Sequence, residues 1–296
     1  MNKSASLICA LITTFIWGTA FIAQDTGMDN IGPLTFNSAR FFVGFLFMLP
    51  VALIIERKKI ISEINSNKKL FFKYYMFMGV SLFLGTSLQQ AALQYTNIAN
   101  AAFFTIFYVP IVPILLFFFY KIKVHWSIWP SIVMCIIGVY LLSNFSDSQI
   151  MLGDALVILC SLFWALHIIF AGKFMKKFDL PIFYASLQSI FVFSLSIIAA
   201  YVFEEIDIQK ILLEYSSILY AGILSGGVAF TLQMYAQKNI DEAPAAIIYS
   251  LEGVFAALAG WIILNQILNL DNIIGCFLIL FAVILSQIAP SAVKKV

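Results

Sequence analysis

Ten runs of about 20 predominantly apolar residues leave this chain few ways to fold. They cover residues 5–24, 34–55, 73–94, 98–120, 127–144, 154–173, 181–203, 216–236, 243–264 and 270–289. In hydrocarbon no water reaches the peptide groups, so each run must satisfy its own N–H and C=O groups, and only a helix does that within one segment. The predicted fold is therefore an all-α membrane protein of ten transmembrane helices. Composition agrees. The 296 residues are 62% hydrophobic and 11% charged, against roughly 45–50% apolar and about 25% charged in a soluble domain. A net charge of +2 offers no basic field for nucleic acid.

The ten runs fall into two sets of five. Ile16-Trp17-Gly18 is answered by Phe163-Trp164-Ala165 after 147 residues, and Pro33 by Pro181 after 148. Leu88-Gln89 is answered by Leu232-Gln233, and Leu142-Ser143 by Leu285-Ser286, after about 144. An odd number of spans per copy turns the second copy upside down. The domain reading is a first five-helix repeat over 1–146 and a second, inverted repeat over 147–296. Secondary transporters are built this way, because two similar halves can expose one site to each side in turn.

Lys and Arg set the orientation. With the N-terminus in the cytoplasm, fifteen of the seventeen basic residues lie inside; Lys210 lies outside and Arg40 within the second span. Both termini are expected to be cytoplasmic, in a multi-pass protein of the cytoplasmic (inner) membrane. The link 56–72 reads as a polar loop turning at Asn65-Ser66-Asn67, and Trp126 and Trp129 as anchors at the membrane surface. Residues 1–20 have the outline of a signal peptide, but Trp17 belongs to the repeat, so the segment reads as the first span. The four cysteines lie in apolar runs and read as packing residues.

Few polar residues sit deep enough to carry chemistry. Arg40, about six residues or roughly 9 Å into the second span, is either an anion anchor, gripping a carboxylate or phosphate through paired hydrogen bonds, or a structural charge that snorkels to the headgroups. Glu252 is the one carboxylate well inside a span. It either meets a proton or an ammonium group, or bonds across helices to Tyr249 or Arg40. Trp17 and Trp164 lie too deep for interfacial anchors and either pack small-residue seams or line a cavity. Gln89 and Gln233 are repeat mates that serve as interhelical glue or as cavity lining. His167 is a proton-relay candidate, or simply a hydrogen-bonded core imidazole. Pro110 and Pro113 interrupt the fourth span, as a hinge or a static bend.

Enzyme, metal and cofactor signatures are missing. No phosphate-binding loop or catalytic triad context is visible, and two histidines make a metal site improbable. Active transport would draw on a gradient of protons or another coupling ion.

Three motifs complete the reading: Trp17-Gly18-Thr19-Ala20-Phe21, Gly32-Pro33 with Ala39-Arg40-Phe41, and Ser250-Leu251-Glu252 with Val254-Phe255-Ala256. In order and spacing they resemble the ten-helix EamA-type branch of the drug/metabolite transporter superfamily, over nearly the whole chain. Gly253 stands where that pattern usually has proline, and Lys121 and Gln266 stand near places where it often has acids. The resemblance implies a basket-like bundle with a central cavity lined by spans 1, 3, 4, 6, 8 and 9, and with spans 2 and 7 nearer the periphery. It also implies small organic metabolites, often amino acids, as cargo, commonly exported. The expected partners are thus a small-molecule substrate and the lipid bilayer. Trp17, Gln89, Trp164, Gln233, Tyr249 and Glu252 are the expected substrate-binding set. An exporter of lipophilic cations is the alternative, and a non-transporting membrane sensor or structural protein the more distant one.

Overall fold

A computed structural model describes residues 2–96, 98–143, 152–265 and 267–287. The boundary expected at 146/147 and the tail lysines Lys294 and Lys295 lie outside the described residues, as does Gln266. The described chain is almost wholly helical: α1 (Lys3–Thr26), α2 (Pro33–Ile55), α3 (Arg57–Ser66), α4 (Lys68–Ala92), α5 (Ile98–Thr105), α6 (Tyr108–Tyr120), α7 (Ile128–Ser143) and α8 (Leu152–Met175) come first. Then follow α9 (Pro181–Phe203), α10 (Ile208–Leu213), α11 (Tyr215–Leu219), a π-helical stretch Tyr220–Ala229, α12 (Phe230–Ala236), α13 (Glu242–Tyr249), α14 (Leu251–Leu264) and α15 (Leu270–Gln287).

Among the described residues, eight helical stretches are long and apolar enough to cross a membrane: 3–26, 33–55, 100–120, 152–175, 181–203, 215–236, 242–263 and 270–287. The chain is a multi-pass membrane protein. The other two predicted spans are also helical, within α4 and α7. The apolar part of α7, Ile128–Leu142, is shorter than the eight.

Local chemistry explains the helix ends. Asn2 caps α1 by accepting a bond from the Ala5 N–H (2.9 Å). Pro33 and Pro181 open α2 and α9, where a missing N–H has no helical partner to lose. The link 56–72 is not the loop its polarity suggested. Its Lys, Ile and Glu residues are adequate helix formers, and they build the solvent-facing α3. Asn67, expected in a turn, instead caps α4 by accepting from the Leu70 N–H (3.0 Å).

The fourth predicted span breaks at Ile106–Phe107, just before its prolines. Pro110 has no N–H to offer the Ile106 carbonyl, which accepts from Val109 instead (2.9 Å). A second break falls at Ser250, between α13 and α14, 144 residues later. Both broken rods end on a left-handed residue, Lys121 (φ 54°) and Asn265 (φ 53°), again 144 apart.

The main packing partners are α2 with α9, α7 with α15, α4 with α8, and α1 with both α14 and the Tyr220–Ala236 rod. Small residues allow the closest approaches. Gly44 faces Gly222, and Gly138 faces Gly275. Outward faces carry exposed Phe118, Phe119, Ile198, Tyr201, Phe203, Ile262, Phe277 and Phe281. Buried positions include Thr13, Thr14, Asn37, Gln90 and Gln237. Apolar outside with polar inside suits lipid as the solvent.

Candidate functional site

A cavity opens within the bundle. Its lining comes from α1 (Trp17, Phe21, Gln24), α4 (Thr86, Gln89), the α5–α6 break (Thr105, Tyr108) and α8 (Trp164, Ile168). The rod 215–236 adds Ser225, Phe230 and Gln233, the α13–α14 break adds Tyr249 and Glu252, and α2 adds Arg40. All six residues expected to bind substrate face this one space.

The aromatic wall is continuous. The Trp17 ring lies 6.3 Å from Trp164, 5.2 Å from Phe230 and 5.6 Å from Tyr249, centroid to centroid. Trp164 and Phe230 are stacked at 6.3 Å. Close approach of α1 and α14 brings this wall beside Glu252: a Cβ on Gly18 would lie 2.6 Å from the Glu252 carbonyl oxygen. Trp17 is therefore held near Glu252 because Gly18 lets α1 press against the broken rod.

Polar groups interrupt the wall at a few points. Glu252 is 7% exposed and accepts a hydrogen bond at Oε1 from the Tyr108 hydroxyl (3.2 Å). Its partner is thus Tyr108, not Tyr249 or Arg40. Gln89 donates to Thr105 Oγ1 (2.9 Å), which in turn donates to the Ala101 carbonyl (2.7 Å). Both polar atoms of the Gln233 amide and the Tyr249 hydroxyl are buried without a hydrogen-bond partner among the described residues. A buried polar atom left unpaired is costly, and a bound ligand is one way to pair it.

Arg40 is 4% exposed, so its guanidinium does not reach out to the headgroups. Nε donates to Asn37 Oδ1 (2.8 Å), and the guanidinium carbon sits 4.9 Å from the Phe41 ring centroid. The helix expected nearer the periphery therefore adds a charge to the cavity wall. His167 is not among the lining residues. It is buried, with Nε2 3.0 Å from Gln188 Oε1. Pro110 and Pro113 lie in α6, behind the break that presents Tyr108.

Tyr108 was missed from the sequence, although a signal existed: it stands 144 residues before Glu252, the separation already seen in Leu88-Gln89 and Leu232-Gln233. Gln24, Thr86 and Ser225 carried no comparable signal. Among the described residues no cluster of His, Cys, Asp and Glu could hold a metal ion.

On α1 and α4 the lining residues, Trp17 to Gln24 and Thr86 to Gln89, lie in the half of each helix nearer its end. One end of the bundle is laced with ion pairs. Asp179 bridges Lys59 (2.5 Å) and Lys238, and Lys176 pairs with Asp241 (2.9 Å) and Glu242 (3.2 Å).

Comparison with known proteins agrees with this architecture. The model of the EamA-like transporter family matches twice, over residues 4–144 and 151–287. An uncharacterized transporter of Archaeoglobus fulgidus is 32% identical over 282 residues, covering 95% of this chain and 85% of the relative. The uncharacterized transporter YoaV of Bacillus subtilis (strain 168) is 23% identical, covering 90% and 91%. A solved crystal structure superposes with a TM-score of 0.77 at 13% identity, covering 97% of this chain and 98% of that one, a likeness of fold alone. With two matches that together span nearly its whole length, the chain is a membrane transporter of the EamA-like family, within the drug/metabolite transporter superfamily.

Proposed function

We propose that this transporter carries a small metabolite bearing an amino group, with an amino acid or similar zwitterion as the preferred class. It exports that cargo from the cytoplasm by alternating access. The working unit is ten spans in two inverted five-helix repeats, with both termini cytoplasmic in the inner membrane. Energy comes from a gradient of protons or another ion, and Pro110 and Pro113 mark a hinge in the fourth span.

The observation that carries this reading is Glu252, a buried carboxylate on the wall of a cavity lined by Trp17, Trp164, Phe230 and Tyr249. A carboxylate in such a place favours an ammonium group, and indole faces attract cations as well. Gln89, Gln233 and Tyr249 supply hydrogen bonds. Paired features support the two-repeat architecture. They are the helix breaks at 106–107 and 250, the left-handed Lys121 and Asn265, and the double family match. The ion pairs that lace one end of the bundle support alternation, because one end must be closed while the other is open.

The aromatic wall favours a second reading, export of lipophilic cations. Proteoliposome transport with Glu252→Gln tests the shared element. Loss of at least about tenfold in affinity for an amine cargo is expected, the size of a lost charge-assisted hydrogen bond. Unchanged affinity removes Glu252 from the site.

A further inference from the structure

Two buried ionisable side chains, one basic and one acidic, face the same cavity, and among the described residues neither has a counter-ion. Among the described residues no carboxylate lies within 4.0 Å of the Arg40 guanidinium and no cation within that distance of Glu252. The two therefore stand apart, without forming an ion pair with each other. Each is expensive to keep in a low-dielectric interior.

Arg40 is also held in place. Asn37 takes its Nε, and Phe41 and Phe36 flank the guanidinium at 4.9 and 5.6 Å. The backbone beneath it is gripped by the π-helical stretch: a Cβ on Gly222 would lie 2.6 Å from the Arg40 carbonyl oxygen. Ser225, on the same π-helical stretch, also lines the cavity. Asn37 engages only one of five guanidinium N–H donors, and a carboxylate fits the remaining fork with two parallel bonds.

We infer that Arg40 is the anion-binding pole of the cargo site: it holds the carboxylate of a molecule whose ammonium group meets Glu252. The inference rests on the reading of the cavity as the cargo site. Its consequence is selectivity for dipolar molecules. A zwitterion neutralises both poles at once. A simple amine satisfies Glu252 but leaves Arg40 uncompensated and is repelled by it; a simple carboxylate has the converse fault. The apolar wall accommodates the rest of the molecule. Arg40 is thus the residue that separates a zwitterion carrier from a cation exporter built on the same carboxylate.

The test uses a panel of zwitterionic amino acids, each with its two single-pole analogues. For leucine these are isoamylamine and 4-methylpentanoate. Binding to the purified full chain is read by ligand-dependent thermal shift, which reports affinity by mass action. Wild type should prefer each bound zwitterion to both analogues. Arg40→Gln should weaken zwitterion binding roughly 10- to 100-fold, leave amine binding unchanged or tighter, and so reverse the preference. Arg40→Lys keeps the charge without the fork and should recover part of the loss.

Equal loss of zwitterion and amine in Arg40→Gln, or no loss of either, overturns the inference, as does a wild type that prefers the amines. Those outcomes leave the cargo-site reading intact if Glu252→Gln still abolishes amine binding. A panel that binds while Glu252→Gln changes nothing refutes the cargo-site reading and this inference with it.

Discussion

Tyr108 donates its hydroxyl hydrogen to Glu252 across 3.2 Å, and the two residues stand 144 positions apart in the chain. Each follows a helix break, at 106–107 and at 250, so each begins a half-helix inside the bundle. A half-helix start carries the positive end of the helix dipole, which favours a carboxylate there. The bond joins the starts of two half-helices at the cavity wall.

A double-mutant cycle measures that bond. Tyr108→Phe leaves a buried carboxylate short of a donor and should destabilise the protein by about 1.5–3 kcal/mol in reversible SDS unfolding. In a Glu252→Gln background the same change should matter much less, a coupling of at least about 1 kcal/mol. Additive single effects would show that the two side chains do not interact.

Glu56 and Glu204, 148 residues apart, cap each other's helices. Glu56, just past α2, accepts from the Ile182 and Phe183 N–H groups at the start of α9 (3.0 and 2.8 Å). Glu204, just past α9, accepts from the Leu34 and Thr35 N–H groups at the start of α2 (both 2.8 Å). Replacing either by Ala strands two helix N–H groups and should lower stability by about 1–2 kcal/mol. Thermal unfolding in detergent checks this; equal melting temperatures for wild type and both variants would contradict it.

Two carboxylates near the ion-paired end should titrate with opposite sign. The Lys238 ammonium, then that of Lys59, holds Asp179 below the ordinary 3.8. Its stabilisation is therefore present above pH 3.8 and lost as pH falls through the lowered value. Burial pushes Glu56 above 4.5 despite its two backbone bonds. Its contribution is greatest below pH 4.5 and declines as pH rises through the raised value. Melting-temperature differences between wild type and Asp179→Asn should shrink on acidification from pH 6 to 3, and those for Glu56→Ala should grow. Parallel trends would exclude this assignment.

Gly18 and Gly253 should respond differently to added bulk. A Cβ on Gly18 meets the Glu252 carbonyl oxygen at 2.6 Å and the Ala256 N at 2.8 Å, both backbone atoms that cannot yield without moving α14. Gly18→Ala should lower stability by about 1–3 kcal/mol and impair transport by displacing Glu252. A Cβ on Gly253 meets only the tip of Ile106, at 3.3 Å. Gly253→Ala, at a helical position, should be neutral or stabilising by up to about 1 kcal/mol. Paired transport and melting assays separate the two; equal damage would mean that the α1–α14 approach is not the constraint.

Much of this protein was readable before folding. Hydrophobic run length selects helices because lipid leaves peptide groups no other partner, and echoes such as Trp17 with Trp164 fall one in each of the two segments that match the family. Burial of Glu252 followed from its depth in an apolar run, since depth along a helix is linear in residue number. Facing is different. Whether Arg40 turned to lipid, to headgroups or to the interior depended on how α2 meets the π-helical stretch through Gly44, Gly222 and Gly226. The ten-residue π-helix has no simple sequence signature, and the polar link 56–72 concealed a helix because charge pattern alone does not separate exposed helix from loop. Tyr108 became a partner of Glu252 only once two broken rods met. Local sequence determines which apolar segments are helices and how deep each of their residues lies. Only packing between distant helices decides which of those residues share a cavity, because that depends on close approaches summed over the whole bundle.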